Sequence, residues 1–463
     1  MTTRRRFAAL IIGSALALTA CGPSGNTKDT GGGAKDGGTL TMWTFKQSHV
    51  AGLEAAAEEF RKKTGTTVKI ELTTPQEAYV SKVQAAARTK SLPDLITVGS
   101  ADESFKFGAA GVLTDVTDDF DQTTREALLP GLAEAAKLTQ LAIDNSKADP
   151  QNSLEKLKAG HWYGIPYIAG SSGIVIGRKS MLDAAGVNVA KASGSWEGFV
   201  EAVRATHTKS AKKGGLVTGM QVPETGFQWL YRPLSHYYLG KEAFASRDGK
   251  AQAPAWTSPE SVETFKLVDQ MSGLWAPGVF SLGIDQADQA FAQGKAAWDI
   301  GGTYTLPFLL QQGMKAEDLV LFPVPAASGG KITKAELAAT PILSSGITTQ
   351  SKNPKGALEF AKFLAAGDGA KAFASAASEM PASAKAARAL ASDPLLGPVV
   401  TALGQNSGNA FNGDDFTALP AGPVQVKHES AVALARLIAG DSTPKQVAKR
   451  FADLYGQAWS RVR

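Results

Sequence analysis

Strand-like and helix-like stretches alternate from Thr39 onward, and this alternation limits the folds open to the chain more than any other feature. A β-like run, TLTMWTF, is followed by HVAGLEAAAEEFRKKTG, in which Leu53, Ala56 and Phe60 fall on one helical face. A second strand-like run, TTVKIEL, a helix-like stretch at residues 76–90 and the apolar strand of LPDLITVGS come next. Such alternation predicts an α/β fold with a mainly parallel sheet.

The ends of these strands mark the functional edge of such a fold. Parallel α/β sheets bind ligands at the carboxyl ends of their strands, so we expect residues 43–47 and 99–103 to line a site. After about residue 162 short strands mix with helices, and the last stretches, ESAVALARLIAG and TPKQVAKRFADLYGQAW, are helical in pattern. We find no internal repeat, and a chain of 463 residues favours two or three domains.

The only cysteine, Cys21, comes after a leader typical of exported proteins. Three consecutive arginines precede an apolar run at residues 7–18, which is shorter than the roughly 20 residues that span a bilayer. The sequence LTAC resembles a bacterial lipobox, which implies a signal peptide at 1–20, lipidation of Cys21 and membrane attachment through acyl chains. A leftover thiol beside an ordinary cleavage site stays the alternative, and TRRRF leaves Sec and twin-arginine export both open.

The segment after the leader is rich in glycine. We predict a flexible tether at residues 21–37, because GPSGNTKDTGGGAKDGG has no apolar side chain larger than alanine or proline and reaches roughly 23 Å. With Cys21 lipidated there is no disulfide, so a hydrophobic core must stabilise the body. The net charge of +5 includes three arginines of the leader, which is too little positive charge for a nucleic-acid partner.

Signatures of catalysis are absent from the sequence. The five histidines have no metal-ligand spacing, and HExxH, GxSxG, Walker A and GxGxxG motifs do not occur. We expect no metal and no cofactor, but the absence of these motifs does not by itself exclude catalysis. A tethered glycoside hydrolase stays open as an alternative, because it needs only two carboxylates, which the 43 acidic residues could supply.

Nine short motifs together carry a family resemblance. In order along the chain come the lipobox, the tether, MWTF, PDL, YGIPY, FAQGKAAW, FPVP, SKNPKGALEFAKFL and EMPA. They resemble extracellular solute-binding protein family 1 of bacterial ABC importers, which includes maltose-, multiple-sugar- and glycerol-phosphate-binding proteins. Each motif is weak alone, and the resemblance rests on their order and spacing over nearly the whole mature chain.

The resemblance implies a two-lobe architecture. It predicts the type II periplasmic-binding-protein-like α/β fold, with a ligand cleft between the lobes. Carried over, the N-terminal lobe comprises residues 38–165 plus 345–381, and the C-terminal lobe residues 166–344 plus 382–463. In such proteins the ligand stabilises the closed form by contacting both lobes at once.

Aromatic side chains are expected to stack on the C–H faces of a sugar. GKAAWDIGGTY resembles a family segment that ends in a sugar-stacking Trp, and Tyr304 occupies that place. FQWLYRPL resembles the segment of maltose-type binders that supplies an aromatic contact, which points to Trp229. Alternation along the first strand lets Phe45 or Trp43 face the cleft, and we favour Phe45. Tyr167, in YGIPY, is either a hinge residue or a ligand contact.

Polar side chains are expected to bind the rim of hydroxyls. In related binders the two loops at the functional edge hydrogen-bond the sugar. The predicted polar contacts are Lys46, Gln47, Asp102 and Glu103 in these loops, Ser344 and Ser345 at the second crossing, and Arg232. One departure stands out: the family usually has Tyr-Asn-Lys shortly after the YGIPY-like motif, and this chain has Ile-Gly-Arg, ending at Arg178.

Other aromatic positions have structural interpretations. We expect Trp298 in the core, Trp196 at a helix start after an N-cap, and Trp275 in a turn-like surface segment. The adjacent Tyr237 and Tyr238 fall in a helical pattern, which disfavours a ferric-ion site.

The sequence therefore predicts a lipid-anchored, monomeric substrate-binding protein of a carbohydrate ABC importer at the outer face of the cytoplasmic membrane. Its partners would be a carbohydrate ligand, ABC permease subunits and the membrane, with no nucleic acid. A binder of a phosphorylated polyol is the alternative within the fold, favoured if Arg232, Lys46 and Arg178 converge. The sequence does not identify the sugar, its length or its linkage.

Overall fold

The computed structural model of the protein describes residues 38–147, 153–209, 214–247, 250–404, 410–411 and 425–460. The predicted signal peptide, Cys21 and the tether lie outside the described residues. Within the described part of the chain, none of the helices is both long enough and apolar enough to cross a membrane.

The first of two sheets contains five strands. These are β1 (Thr39–Thr44), β2 (Thr67–Leu72), β3 (Leu95–Val98), β4 (Ile165–Gly170) and β9 (Thr340–Ile347). The strand order is β2-β1-β3-β9-β4, with β1 parallel to β2 and β3, and with β9 antiparallel to β3 and β4. The prediction of a parallel α/β sheet therefore holds for the three strands that open the body, and the returning strand β9 runs the other way.

The second sheet contains four strands: β5 (Ser172–Arg178), β6 (Gly214–Val217), β7 (Ala296–Gly302) and β8 (Leu319–Pro323). Their order is β6-β7-β5-β8, with β5 antiparallel to β7 and β8, and with β6 parallel to β7. We call the first sheet with its helices the N-terminal lobe and the second sheet with its helices the C-terminal lobe.

Helices surround both sheets. In chain order they are α1 (Val50–Thr64), α2 (Gln76–Thr89), α3 (Ala101–Ala109), α4 (Gln122–Glu126), α5 (Leu132–Ala135), α6 (Gln140–Ser146), α7 (Lys179–Ala184), α8 (Val189–Gly194), α9 (Trp196–Lys209), α10 (Arg232–Leu239), α11 (Lys241–Ser246), α12 (Pro259–Asp269), α13 (Ile284–Ala292), α14 (Thr305–Gln311), α15 (Pro354–Ala366), α16 (Asp368–Ala377), α17 (Ala384–Ala389), α18 (Leu396–Gly404), α19 (Val426–Ile438) and α20 (Pro444–Ser460). Short 3-10 turns occur at Gln47–His49, Lys250–Thr257, Val279–Ser281 and Ala316–Asp318, and a π-helix at Gly226–Tyr231.

Local sequence explains where the first helices begin and end. Gly65 ends α1 with a left-handed φ of 80°, as its position in the sequence predicts, because glycine adopts this conformation without strain. Ser100 caps the N-terminus of α3, and its hydroxyl accepts a hydrogen bond from the Glu103 backbone N–H. The first cap fixes the loop between α1 and β2, and the second fixes the loop after β3.

The chain crosses between the two sheets at Ser171 and again before β9. A single residue, Ser171, separates β4 in one sheet from β5 in the other. The segment before β9 returns the chain to the first sheet.

Residues 380–382 lie beside β4, where Ala169 donates to the Met380 carbonyl and Ala382 donates to the Tyr167 carbonyl. Helix α17 contacts α15 and α16 of the N-terminal lobe. The predicted lobe boundaries, including the one at 381/382, stay a prediction.

The core confirms most of the structural interpretations and corrects one. Trp298 is fully buried between Phe199 and Phe322, and Trp196 is fully buried at the start of α9. Trp275 was expected on the surface, but it is 8% exposed. Its backbone forms a bridge with Leu216 of β6, so it continues the edge of the second sheet and turns its ring into the core.

Candidate functional site

The loop after β1 meets the loop after β3, as the carboxyl-end rule predicts. Trp43 is buried, with the Lys82 ammonium 3.8 Å from its ring centroid, and Phe45 is half-buried. An added Cβ at Gly99 would lie 3.5 Å from Phe45 Cζ and 3.1 Å from Glu103 Oε2, so these side chains surround the end of β3. Phe45 is therefore the more accessible of the two rings, and its role as a ligand contact stays a prediction.

The predicted polar residues of these loops differ in environment. Glu103 is half-buried, its carboxylate accepts a hydrogen bond from the Gly99 N–H, and burial raises its pKa. Asp102 is exposed and forms an ion pair with Lys106 over 2.6 Å. Gln47 is exposed. Of Gln47, Asp102 and Glu103, only Glu103 has a side chain that is already partly shielded from water before a ligand binds.

The two lobes touch through the loop after β1. Lys46 Nζ lies 3.4 Å from Asp285 Oδ1 in the first turn of α13, and the turn at Gln47–His49 contacts α14. Asp102 of α3 lies close enough to Lys427 of α19 to interact with it electrostatically. The N-terminal lobe thus meets the C-terminal lobe at two places along the junction.

Two predicted aromatic contacts come together in the C-terminal lobe. The rings of Trp229, in the π-helix, and Tyr304, before α14, have centroids 5.7 Å apart and are tilted by 53°. Both side chains are half-buried. Because the two positions are far apart in sequence and were derived from separate motifs, their contact is an independent observation in favour of a shared aromatic site.

The Tyr304 hydroxyl is buried but has no hydrogen-bond partner among the described residues. Burial raises its pKa, and three carboxyl groups raise the pKa further: those of Asp288, Asp299 and Glu379. A buried hydroxyl without a partner is uncommon in proteins and calls for water or a ligand at that point. Glu379 comes directly before the residues that pair with β4 of the N-terminal lobe, so Tyr304 lies where the lobes meet.

Two buried carboxyl groups were not anticipated from the sequence. Asp288 on α13 and Asp299 on β7 are 3% and 0% exposed, and neither carboxylate oxygen of Asp299 has a hydrogen-bond partner among the described residues. Burial raises the pKa of Asp288 to about 7, and burial together with the neighbouring Asp288 raises the pKa of Asp299. The available signal was an aspartate inside the apolar strand AAWDIGG.

A second buried pair was also missed. His49 Nε2 lies 3.2 Å from Glu379 Oε2, with side chains 1% and 0% exposed. The other carboxylate oxygen of Glu379 accepts from the Met380 N–H, and the His49 ring lies edge-on to Phe373. The pair joins the loop after β1 to the segment that runs beside β4. The glutamate of the EMPA motif was its only sequence signal.

The remaining predicted contacts are buried. Tyr167 is fully buried, edge-on to Phe373, with its hydroxyl 3.3 Å from Thr97 Oγ1. Arg232 is 1% exposed and lies 4.6 Å from the Phe244 ring centroid. Ser344 and Ser345 pair with the end of β3 and are 2% and 0% exposed. Their roles as ligand contacts stay predictions.

No group of three or more His, Cys, Asp or Glu side chains within the described residues could hold a metal ion. The site is thus made of aromatic rings, hydroxyls and carboxyl groups, gathered where the ends of two sheets meet. This arrangement suits the binding of a neutral or hydrogen-bonding solute.

Comparison with known proteins agrees with this architecture. Residues 46–371 match the family of bacterial extracellular solute-binding proteins, and because this span is well over half of the chain, the protein belongs to that family. No curated protein matches the chain by sequence.

Solved structures share the fold. A solute-binding protein of an ABC transporter from Thermotoga lettingae TMO, bound with alpha-D-tagatose, has a TM-score of 0.69 at 17% identity, over 91% of this chain and 99% of its own. The GacH receptor of Streptomyces glaucescens GLA.O has a TM-score of 0.66 at 18% identity, over 92% and 99%. The Thermus thermophilus maltotriose binding protein has a TM-score of 0.61 at 19% identity, over 90% and 99%. The chain therefore has the two-lobe, type II periplasmic-binding-protein fold.

Proposed function

We propose that this protein is the substrate-binding component of a carbohydrate ABC importer and has no enzyme activity. The observation that carries the proposal is the contact between Trp229 and Tyr304, with an unpartnered Tyr304 hydroxyl at the junction of the lobes. An aromatic corner beside unsatisfied polar atoms suits a sugar, which has apolar C–H faces and hydroxyl edges. The structural relatives include proteins described as binding maltotriose, chitin oligosaccharide and acarbose, which supports the same class.

The binding cycle can be derived from the fold. A solute held by Trp229 and Tyr304 in one lobe and by Phe45 and Glu103 in the other would stabilise the closed form, because only that form brings both sets of contacts together. The closed protein would then deliver the solute to permease subunits. Further proposed contacts are Lys46, Gln47, Asp102, Tyr167, Arg232, Ser344 and Ser345. Of these, the last four are almost fully buried.

A phosphorylated polyol has less support than a neutral sugar. The three cations that would have to converge on a phosphate bind different groups: Arg178 pairs with Asp318 over 3.2 Å and Lys46 pairs with Asp285. Arg232 lies in a hydrophobic cluster over Phe244. No specific observation favours this alternative.

A glycoside hydrolase also lacks support. Hydrolysis needs two carboxyl groups about 5 to 10 Å apart on either side of the scissile bond. Asp288 and Asp299 are almost fully buried and lie close enough together for Asp288 to raise the pKa of Asp299, and Glu379 pairs with His49. Neither arrangement leaves room for a sugar between two acids.

The test is a thermal-shift screen of the protein against monosaccharides, oligosaccharides, polyol phosphates, amino acids and peptides, followed by calorimetry. A ligand at 100 times its dissociation constant should stabilise the fold by about 2.7 kcal/mol. For the best sugar, Tyr304→Ala and Trp229→Ala should each weaken binding at least tenfold. Phe280→Ala, which removes a ring that is 40% exposed on the same lobe, is the matched control and should bind normally.

Two results would contradict the proposal. A thermal shift with amino acids or peptides and none with sugars would agree with the fold but would contradict a carbohydrate as the substrate. Chemical conversion of the sugar during calorimetry would instead favour the hydrolase.

We further propose that Cys21 is lipidated and holds the protein at the outer face of the cytoplasmic membrane, as a monomer. The lipobox-like LTAC supports the anchor. Labelled palmitate should enter the wild-type protein in cells and should be absent from Cys21→Ser. Light scattering of the detergent-solubilised protein should give the mass of one chain, and a dimer mass would reject the monomer.

A further inference from the structure

A buried arginine in the C-terminal lobe has only uncharged partners among the described residues. Arg247, directly after α11, is 3% exposed. Its Nη2 atom donates to Ser235 Oγ of α10 over 2.6 Å, and its Nη1 atom donates to Ser261 Oγ of α12 over 3.3 Å. Burying a positive charge costs free energy unless a negative charge and hydrogen bonds compensate it. The arginine therefore calls for a further, negatively charged partner.

Aromatic rings compensate part of this charge. The Arg247 guanidinium carbon lies 4.1 Å from the ring centroid of Trp256, which is 1% exposed, and 5.6 Å from that of Phe244. Such contacts attract a cation to the electron-rich face of the ring. The Phe244 ring is shared, because the Arg232 guanidinium lies 4.6 Å from its centroid. Two guanidinium groups thus approach one ring, which concentrates positive charge in this part of the lobe.

Two buried N–H groups at this place have no acceptor among the described residues. They are Nε–H of Arg247 and the indole Nε1–H of Trp256. Both groups can only donate hydrogen bonds. A serine hydroxyl that accepts a hydrogen bond, as those of Ser235 and Ser261 do, also has an O–H of its own to donate. The side chains around Arg247 therefore offer donors and lack an acceptor, and an anion would satisfy them.

Helix α12 adds to the positive potential. It begins at Pro259, and Ser261, which accepts from Arg247, lies in its first turn. The N-terminus of an α-helix has a partial positive charge, which favours a nearby anion and disfavours a nearby cation. Glu260, the acidic residue of this turn, is exposed. The helix N-terminus and the arginine therefore favour the same kind of ligand.

We propose that Arg247, Trp256 and the first turn of α12 form a buried binding site for one small monovalent anion such as chloride, a site that goes beyond the proposed sugar binding. Both Nη atoms of Arg247 already bind serine hydroxyls, which leaves Nε as the guanidinium nitrogen without a partner among the described residues. Arginine usually holds carboxylates and phosphates by two parallel N–H groups, so a single nitrogen suits a one-atom anion better. Because the site joins α10, α12 and the turn at Lys250–Thr257, the anion should stabilise the C-terminal lobe.

The experiment measures thermal stability while chloride replaces gluconate, without any sugar present. The detergent-solubilised full chain is first dialysed free of chloride. It is then melted in mixtures of the two sodium salts at a constant total of about 0.5 M, so that the screening of surface charges does not change. For a dissociation constant of about 10 mM, full replacement should raise the melting midpoint by about 2 to 3 °C.

Variants assign the chloride effect to this site. Arg247→Met should lose the chloride dependence, whereas Arg61→Met, which removes an exposed arginine paired with Glu58, should retain it. Trp256→Phe retains an aromatic ring and removes the N–H, so half-saturation should need about tenfold more chloride. Trp275→Phe is the matched control, because it also removes a buried indole N–H without a partner among the described residues. Its chloride dependence should equal that of the parent.

Crystals soaked in bromide locate the anion directly, and we expect an anomalous-scattering peak in hydrogen-bond contact with Nε of Arg247. A parent protein whose midpoint does not depend on chloride, as expected for a buried water, would overturn the site. Equal chloride dependence of Trp256→Phe and Trp275→Phe, or bromide crystals without a peak beside Arg247, would do the same. The two tryptophan variants decide the question even if Arg247→Met does not fold. Because no sugar is present, the outcome is independent of the sugar screen.

Discussion

Each lobe buries a pair of ionisable side chains near the junction, and the two pairs are neutralised in different ways. In the N-terminal lobe Glu379 lies against His49, so an acid meets a base. In the C-terminal lobe Asp288 lies against Asp299, so an acid meets an acid. Both pairs are almost fully buried. The same requirement, that a buried charge must be compensated, is therefore met by a complementary partner in one lobe and by a retained proton in the other.

The difference teaches how each lobe should respond to mutation and to pH. The Glu379 carboxylate accepts a hydrogen bond from the Met380 N–H and shares another with the His49 ring. For Asp288 and Asp299, burial raises the pKa of both carboxyl groups and so favours their protonated forms. Removing a partner should damage the first pair most, and raising the pH should damage the second.

The largest expected effect comes from breaking the acid–base pair. Glu379→Leu should lower the free energy of unfolding by about 3 kcal/mol, because it leaves buried N–H groups of His49 and Met380 without an acceptor. Urea denaturation at pH 7 measures this. Glu359→Leu, at an exposed position on α15, is the control and should change stability by less than about 0.5 kcal/mol. A loss below about 1 kcal/mol for Glu379→Leu would show that the two pairs do not differ as described.

An intermediate effect is expected from pH at the acid–acid pair. The folded state raises the pKa of Asp288 from 3.8 to about 7, so between these values the folded protein binds a proton that the unfolded chain releases. Stability from this group is complete below about pH 4 and is lost as the pH rises through 7, and the part lost between pH 5 and pH 8 is about 2.5 kcal/mol. Urea denaturation between pH 5 and pH 8 should show a steeper decline in the parent than in Asp288→Asn. Parallel curves would contradict the raised pKa of Asp288.

The smallest effect extends the comparison to a carboxylate that prefers to be ionised. Asp121 in the N-terminal lobe caps α4 by accepting from the Thr124 N–H and pairs with Lys362 of α15 over 2.7 Å. These contacts lower the pKa of Asp121 to about 2, so its contribution is present above pH 4 and is lost as the pH falls toward 2. Asp121→Ala should cost about 1 kcal/mol at pH 7, mainly through the lost cap. The difference in the free energy of unfolding between parent and variant should become smaller at pH 2.5. Equal stability of the two proteins at pH 7 would contradict the capping role of Asp121.

The parts of the fold that obey local rules were predictable from the sequence. The apolar spacing and Gly65 predicted α1, and the β-like runs predicted β1, β2 and β3, because period and capping act over a few residues. Trp275 was misplaced because its burial comes from a bridge to Leu216 in a distant strand. The antiparallel course of β9 likewise depends on a long-range crossing that local patterns do not encode.

The candidate site likewise contains residues that the sequence predicted and residues that it did not. Trp229 and Tyr304 were found through motifs, and the structure brings their rings together. The pairs His49–Glu379 and Asp288–Asp299 were missed because each joins residues from separate elements, and a lone acid or histidine in a sequence is usually solvated. Their importance arises only from burial, which tertiary packing determines.

The crossing at Ser171 has a mechanical consequence. Because one residue separates β4 from β5, a small change in its backbone dihedral angles would swing the second sheet as a rigid lever, with large displacement at the far rim. The preceding Gly170 has no room for a side chain, since a Cβ there would lie 2.0 Å from Thr303 Oγ1. The connection between the two sheets at Ser171 is therefore short and closely packed. Opening would need no loss of secondary structure on either side, so we expect the lobes to open and close on the microsecond-to-millisecond timescale of domain hinges.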